Sequence, residues 1–161
     1  MTHLADDQIW QILQRVKDPE IPMVSLVELG IVRAFQWDAD TLRVTLTPTF
    51  SGCPALHAMT DETRAALEEA GIPRVEIVIS HNPPWSSDQI SAEGRRKLRE
   101  FGIAPPPMLN GLLALDVLDV ARCPNCGSTD TELKNSFGAT LCRALFVCKN
   151  CSEPFEQFKP I

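Results

Sequence analysis

Four cysteines near the carboxyl end of the chain stand in two identical short spacings. Cys123 and Cys126 form one Cys-x-x-Cys pair, and Cys148 and Cys151 form the second. In metal sites each such pair folds into a tight turn, or knuckle, that aims both sulfurs at one ion. Four soft thiolates in a tetrahedron favour Zn(II), with iron or a cluster as the competitor. The spacing therefore predicts a β zinc ribbon that binds one zinc ion.

The metal in this ribbon is expected to have a structural role. Residues 122–161 form a short segment with too little apolar surface to fold alone, and zinc binding contributes about 10 to 16 kcal/mol in comparable modules. Two unrelated thiol pairs, or one redox pair, are the alternative. A redox Cys-x-x-Cys normally opens a helix beside a sheet, whereas "CPNCGS" is typical of a turn.

The remaining two cysteines stand apart from these pairs. Cys142 lies in the extended stretch "CRALFVC", about 20 Å along a strand from Cys148, and is a candidate secondary thiol or a small side chain packed beside Phe146. Cys53 lies in "TPTFSGCPALHAM", where a helix is predicted to begin. A helix amino terminus favours a thiolate, but cysteine is also among the most buried residue types. From the residues alone, both readings of Cys53 stay open.

Periodicity along the first two thirds of the chain predicts an α+β fold. Apolar residues at helical spacing alternate with stretches in which apolar and polar residues follow period two. The predicted order is helix, strand, strand, helix, strand, helix, over residues 6–17, 31–37, 41–47, 54–70, 74–80 and 91–103. This order favours a small α/β layer in which helices cover one side of one sheet.

The stretch "APPPM" interrupts this pattern, because three consecutive prolines favour an extended, stiff spacer. We therefore predict a first domain at residues 1–104 and a ribbon at residues 122–161. Between them, residues 105–121 are predicted to form a proline-rich linker and, from "LLALDVLDVA", a lead-in strand.

Charge and hydropathy exclude several classes of protein. The chain of 161 residues has 15 Lys and Arg against 21 Asp and Glu, a formal net charge of -6, which argues against nucleic-acid binding. No apolar stretch reaches the length of a membrane span, and the acidic "MTHLADDQ" is unlike a secretory signal, so a cytoplasmic location is expected. No phosphate loop, hydrolase elbow or dinucleotide fingerprint is present.

Several motifs together resemble the PaaD family, the D components of the phenylacetyl-CoA epoxidase systems of aerobic phenylacetate degradation. The resemblance covers nearly the whole chain, through "DPEIP", "LGIVR", "TPTFSGCPA", "PPW", "GRRKLREFGIAPP", "CPNC" and "FGATLCRALFVCKNCSEPFEQFK". The first domain is similar to the iron-sulfur assembly domain family that includes SufT. This resemblance implies an accessory protein, not an enzyme by itself, that assists iron-sulfur or metal-centre maturation of the epoxidase components.

The family resemblance also indicates which residues of the first domain to consider. It implies that Cys53, Asp18 and Glu20 are candidates for transient handling of iron or an iron-sulfur cluster, with the epoxidase components as protein partners. Formation of a homodimer stays open. Two alternatives remain: a structural or regulatory subunit of the epoxidase that transfers no metal, and a thiol-redox enzyme.

Overall fold

The computed structural model describes residues 4–111 and 120–161 in two compact units, Met1–Trp85 and Ser86–Ile161. Most of the predicted lead-in strand "LLALDVLDVA" lies outside the described residues. Across the described ranges, no helix has the length and apolar character needed to cross a membrane.

The first unit is a three-stranded sheet with two helices, which confirms the α+β prediction. Its elements are α1 (Asp6–Leu13), β1 (Val32–Asp38), β2 (Thr41–Leu46), α2 (Leu56–Glu69) and β3 (Val75–Ile79). The strand order is β1-β2-β3, with β1 antiparallel to β2 and β3 parallel to β2. Because β2 and β3 run parallel, α2 forms the crossover between them. The chain segment that precedes α2 therefore leaves the sheet at the end of β2.

The first helix is shorter than its periodicity predicts. Residues 6–17 were expected to be helical, but α1 ends at Leu13. After Leu13 the backbone hydrogen bonds join residues three apart, as in a 3₁₀ turn. The Val16 N–H, for example, donates to the Leu13 carbonyl at 3.1 Å. Lys17 then pairs with Ser25 in an isolated antiparallel bridge. The apolar residues after Leu13 keep helical spacing, but the backbone has already turned towards this bridge.

Side chains fix the loop between α1 and β1. One carboxylate oxygen of Asp18, Oδ1, accepts the N–H groups of Glu20 and Ile21 at 2.8 and 2.9 Å. Further on, the Ser25 N–H donates to the Glu28 carboxylate and the Glu28 N–H donates to the Ser25 hydroxyl, at 2.8 and 3.0 Å. Such reciprocal bonds satisfy backbone donors that no helix or strand would engage. They give the "DPE" loop a defined conformation.

The second unit contains a helix and a four-stranded sheet. Its elements are α3 (Ala92–Glu100), β4 (Ile103–Ala104), β5 (Thr131–Asn135), β6 (Arg143–Cys148) and β7 (Pro154–Phe158). The order is β4-β7-β6-β5; β4 is parallel to β7, and the other pairs are antiparallel. Phe146 of β6 stacks on Phe155 of β7 with ring centroids 5.8 Å apart, at the centre of a small buried cluster.

A partly buried ion pair orders the loop between β5 and β6. Arg143 donates to Glu156 at 2.7 Å, and the same carboxylate accepts the Ala139 N–H at 2.5 Å. A Cβ at Gly138 would overlap the Glu156 carboxylate, so glycine is the residue that fits there. The tight approach places the loop directly over β7.

The division between the two units falls after Trp85, whereas the sequence places a domain boundary after residue 104. The proline-rich residues beyond 104 are anchored within the second unit. Asp88 accepts the N–H groups of Leu109 and Asn110 at 2.7 Å each, and Arg95 donates to the Pro106 carbonyl. Independent folding of residues 1–104 stays a prediction.

That prediction is tested with two fragments, residues 1–104 and 1–85. We expect both to unfold cooperatively, because the first unit has its own buried core, and thermal unfolding followed by circular dichroism measures it. Similar midpoints would place the folding boundary at Trp85. A cooperative 1–104 beside a molten 1–85 would assign α3 to the first domain, and two molten fragments would contradict independent folding.

Candidate functional site

The four paired cysteines converge on one point in the second unit. All four Sγ atoms lie within 4.8 Å of one another, with Cys123 and Cys151 3.7 Å apart and Cys126 and Cys148 3.5 Å apart. A tetrahedral zinc site with Zn–S bonds of about 2.3 Å has S–S edges of about 3.8 Å. The separations in the protein therefore fit a zinc ion held by four thiolates.

The two knuckles have the same backbone hydrogen bonds. In the first, the Cys123 N–H donates to the Ser128 carbonyl and the Cys123 carbonyl accepts the Gly127 N–H, both at 2.9 Å. The second knuckle repeats these bonds at the equivalent positions Cys148, Glu153 and Ser152. Gly127 and Ser152 both have positive φ, at 76° and 63°. The local sequence thus folds each pair alike, and the antiparallel strands bring the two pairs together.

Two asparagines that the sequence analysis did not single out complete the centre. The side-chain amide of Asn125 donates to the sulfur of Cys151 at 3.6 Å, and that of Asn150 donates to Cys126 at 3.5 Å. The Asn150 amide and then the Ser128 N–H lower the pKa of Cys126 to about 6. Each asparagine stands third in its Cys-x-Asn-Cys motif, so the repeated asparagine was the available signal.

Cys142 lies outside this four-sulfur group. It is half-buried, and its thiol and the Thr140 hydroxyl are 3.1 Å apart in a hydrogen bond. The extended strand β6 separates Cys142 from Cys148, as the sequence predicted.

The Cys53 thiol lies in the first unit, just before the amino-terminal cap of α2 at Ala55, and is half-buried. Burial raises the pKa of this thiol, and the Glu20 and Asp18 carboxylates raise it further. The N–H groups of Ala55 and Leu56 act in the opposite direction. The net pKa shift is upward, opposite to the one that a helix amino terminus alone predicts, because burial and like charge prevail.

The structure thus brings Cys53 within electrostatic range of both acidic residues that the resemblance named. It does not bring their ligand atoms together as closely as the four sulfurs of the ribbon. Within residues 4–111 and 120–161, the ribbon cysteines are the one group of three or more such side chains with converging ligand atoms. Cys53, Asp18 and Glu20 stay candidates that the family resemblance implies.

Comparison with known proteins accounts for both units. Residues 114–159 match the family model of the PaaD zinc beta ribbon domain, and residues 6–78 match that of the iron-sulfur cluster assembly protein family. The chain is also 38% identical over 156 residues to a protein of Escherichia coli (strain K12) that is provisionally named as the D component of 1,2-phenylacetyl-CoA epoxidase. The alignment covers 96% of this chain and 92% of that protein. The chain belongs to the PaaD family.

Other relatives of this PaaD-family chain resemble its amino-terminal part. The Fe-S protein maturation auxiliary factor YitW of Bacillus subtilis (strain 168) is 38% identical over 95 residues, 56% of this chain and 90% of that protein. A crystal structure of a DUF59 domain from Bacillus anthracis has a TM-score of 0.53 at 28% identity and covers 58% of this chain and 90% of its own. The structure of protein TM0487 of Thermotoga maritima has a TM-score of 0.51 at 27% identity. The match covers 61% of this chain and 98% of that protein.

Metal content tests the ribbon site of the PaaD-family chain. We expect about one zinc per chain, and we expect Cys123→Ser or Cys148→Ser to lose nearly all of it and unfold the second unit. Elemental analysis and thermal unfolding measure the two effects. Cys142→Ser is the matched control and should keep its zinc. Full zinc retention in Cys123→Ser and Cys148→Ser would show that these sulfurs are not ligands.

Alkylation kinetics test the electrostatics at Cys53. Neutralising Glu20 with Glu20→Gln removes a nearby negative charge, so the pKa of Cys53 should fall and its thiolate should be more abundant at pH 8. We expect faster modification of Cys53 by iodoacetamide, read by peptide mass spectrometry in a Cys142→Ser background. Glu69→Gln, at the far end of α2, is the charge-matched control. Equal rates in the two variants would contradict the assignment of Glu20 to this site.

Proposed function

We propose that this protein is an accessory maturation factor of the phenylacetyl-CoA epoxidase system, which delivers iron or an iron-sulfur cluster to an epoxidase component. It does not itself catalyse the epoxidation. The observation that carries the proposal is the position of the Cys53 thiol, half-buried before α2 and within electrostatic range of the Asp18 and Glu20 carboxylates. Membership in the PaaD family and similarity to proteins named Fe-S maturation auxiliary factors support it.

The charges at Cys53 suit a cation that binds and leaves. Burial and two carboxylates keep the thiol protonated, so a metal ion must displace its proton when the sulfur becomes a ligand. Once bound, the ion offsets the repulsion among up to three negative groups. The cost of deprotonation weakens binding at low pH and makes release easier. A carrier needs such reversible binding.

The incomplete ligand set also suits transfer. One sulfur and two carboxylates do not satisfy the coordination of iron or a cluster, and their ligand atoms do not converge in the described part of the chain. The remaining ligands would come from the client protein. Because the client can supply more ligands than the carrier, the metal passes towards the client.

The ribbon, by contrast, would hold its metal permanently. Cys123, Cys126, Cys148 and Cys151 would bind one zinc ion and leave no open coordination position, which is the arrangement of a structural site. When bound, zinc supplies charge compensation and a cross-link between the two knuckles. The ribbon cysteines orient and retain the ion and take no part in transfer to the client.

A structural or regulatory subunit without metal transfer is the second candidate. The relative from Escherichia coli is named as a subunit of the epoxidase, and the raised pKa of Cys53 also suits a packed thiol. In that function Cys53 would stabilise the turn before α2, and a serine of similar volume would replace it without loss of activity.

The decisive experiment compares Cys53→Ser with Cys142→Ser in cells that grow on phenylacetate. We expect Cys53→Ser to fold normally, to slow growth, and to leave iron or cluster content of the purified epoxidase components well below that of the Cys142→Ser cells. Metal analysis and absorption spectra of those components measure the effect. Complete metal centres and normal growth with Cys53→Ser would favour the subunit without transfer.

A further inference from the structure

We propose that a groove in the second unit binds an acidic segment of the client protein that also carries apolar side chains. The groove encloses about 660 Å³ and lies beside α3, the proline-rich residues 105–107 and the first cysteine knuckle. The proposal rests on the proposed function, because it supplies the docking surface that a delivery protein needs. None of the four ribbon sulfurs has to be released for this binding.

The charge of the groove differs from that of the chain as a whole, which carries a net charge of -6. Arg95, Arg99 and Arg122 line it, and among the residues that the structure describes its lining contains no aspartate or glutamate. Arg95 is held in place by the Ser87, Ile90 and Pro106 carbonyls. The Asp88 carboxylate partly offsets the charge of Arg95, so the local positive potential that attracts carboxylates comes mainly from Arg99 and Arg122.

Two of these arginines have no acidic partner within the described ranges 4–111 and 120–161. Arg122 donates one hydrogen bond, to the Gly127 carbonyl at 2.8 Å, and Arg99 forms no ion pair there. Their neighbour Arg96, on the same helix as Arg99, pairs with both Glu93 and Glu100. Guanidinium groups bind carboxylates through two parallel hydrogen bonds, so Arg99 and Arg122 are available for an acidic ligand.

The walls of the groove are apolar. Residues 105–107 are prolines, which offer no N–H donors, and Met108 and Val120 both line the groove and are 52% exposed. Exposed apolar side chains beside the arginines favour a ligand in which apolar and acidic groups alternate. A small inorganic anion would leave these walls in water.

A neighbouring groove limits how far the acidic segment extends. This second groove, of about 420 Å³, shares Arg99 and Pro124 with the first, but Glu100 and Glu153 also line it. Carboxylates repel an acidic peptide, so the segment is expected to lie in the first groove alone.

The test uses the full-length, zinc-loaded protein and a fluorescein-labelled ten-residue peptide that alternates glutamate with leucine. We expect saturable binding by fluorescence polarisation that weakens as salt rises, and roughly a tenfold loss of affinity in Arg99→Gln/Arg122→Gln. Arg99→Gln alone, remote in sequence from the zinc ligands, should lose part of the affinity with zinc content unchanged. Arg96→Gln is the matched control on the same helix and should bind like the unchanged protein.

Two control peptides define the ligand. Replacing glutamate with glutamine, or leucine with serine, should each weaken binding, because the groove needs both charge and apolar contact. Equal binding in Arg96→Gln and Arg99→Gln/Arg122→Gln, or equal binding of the glutamine peptide, would overturn the proposal. Peptide binding is read without any metal transfer. Its loss would therefore leave the role of Cys53 standing, and failure of Cys53→Ser to alter the epoxidase would leave the groove standing.

Discussion

The convergence of four cysteine sulfurs is the constraint on which the second unit depends. Sulfurs 3.5 to 3.7 Å apart cannot all be thiolates unless a cation offsets their repulsion. The buried cluster beside them is small and has the stacked Phe146 and Phe155 at its centre. Each knuckle fixes its own pair through the same backbone bonds, so a bound metal ion would join two preformed halves.

The protein uses cysteine in two electrostatic settings with opposite results. At Cys126, the Asn150 amide and a backbone N–H lower the pKa, whereas at Cys148, against the Cys151 N–H, burial and the neighbouring ribbon sulfurs raise the pKa to about 11. At Cys53, burial and the carboxylates of Glu20 and Asp18 raise the pKa and favour a protonated thiol. The difference between Cys126 and Cys53 comes from hydrogen-bond donors in the first case and from desolvation and like charge in the second.

The ribbon also builds a surface. Its first knuckle forms one wall of the groove whose other walls are α3 and the proline-rich residues, so a metal ion held by Cys123 would also fix that wall. On α3, Arg96 is neutralised by its helix neighbours, whereas Arg99 faces the groove without a described acidic partner. Glu93 and Glu100 stand three and four positions from Arg96, whereas the residues three and four positions from Arg99 are Arg95, Arg96, Gly102 and Ile103, none of which is acidic. This difference in pairing is the basis of the docking groove that we propose.

The sequence by itself determined the elements and the chemistry whose causes are local. Cysteine spacing predicted the converging sulfurs, period-two alternation predicted β2, and Ser91 and Gly102 marked the ends of α3, where the Ser91 hydroxyl caps the helix and Gly102 has a φ of 90°. Tertiary structure decided what depends on distant residues. The end of α1 follows from the Lys17–Ser25 bridge, the sulfur contacts of the two asparagines from the antiparallel pairing, and the raised pKa of Cys53 from burial beside the "DPE" loop. A pattern along the chain specifies backbone preference and side-chain type, but desolvation and charge proximity arise only when separate segments meet.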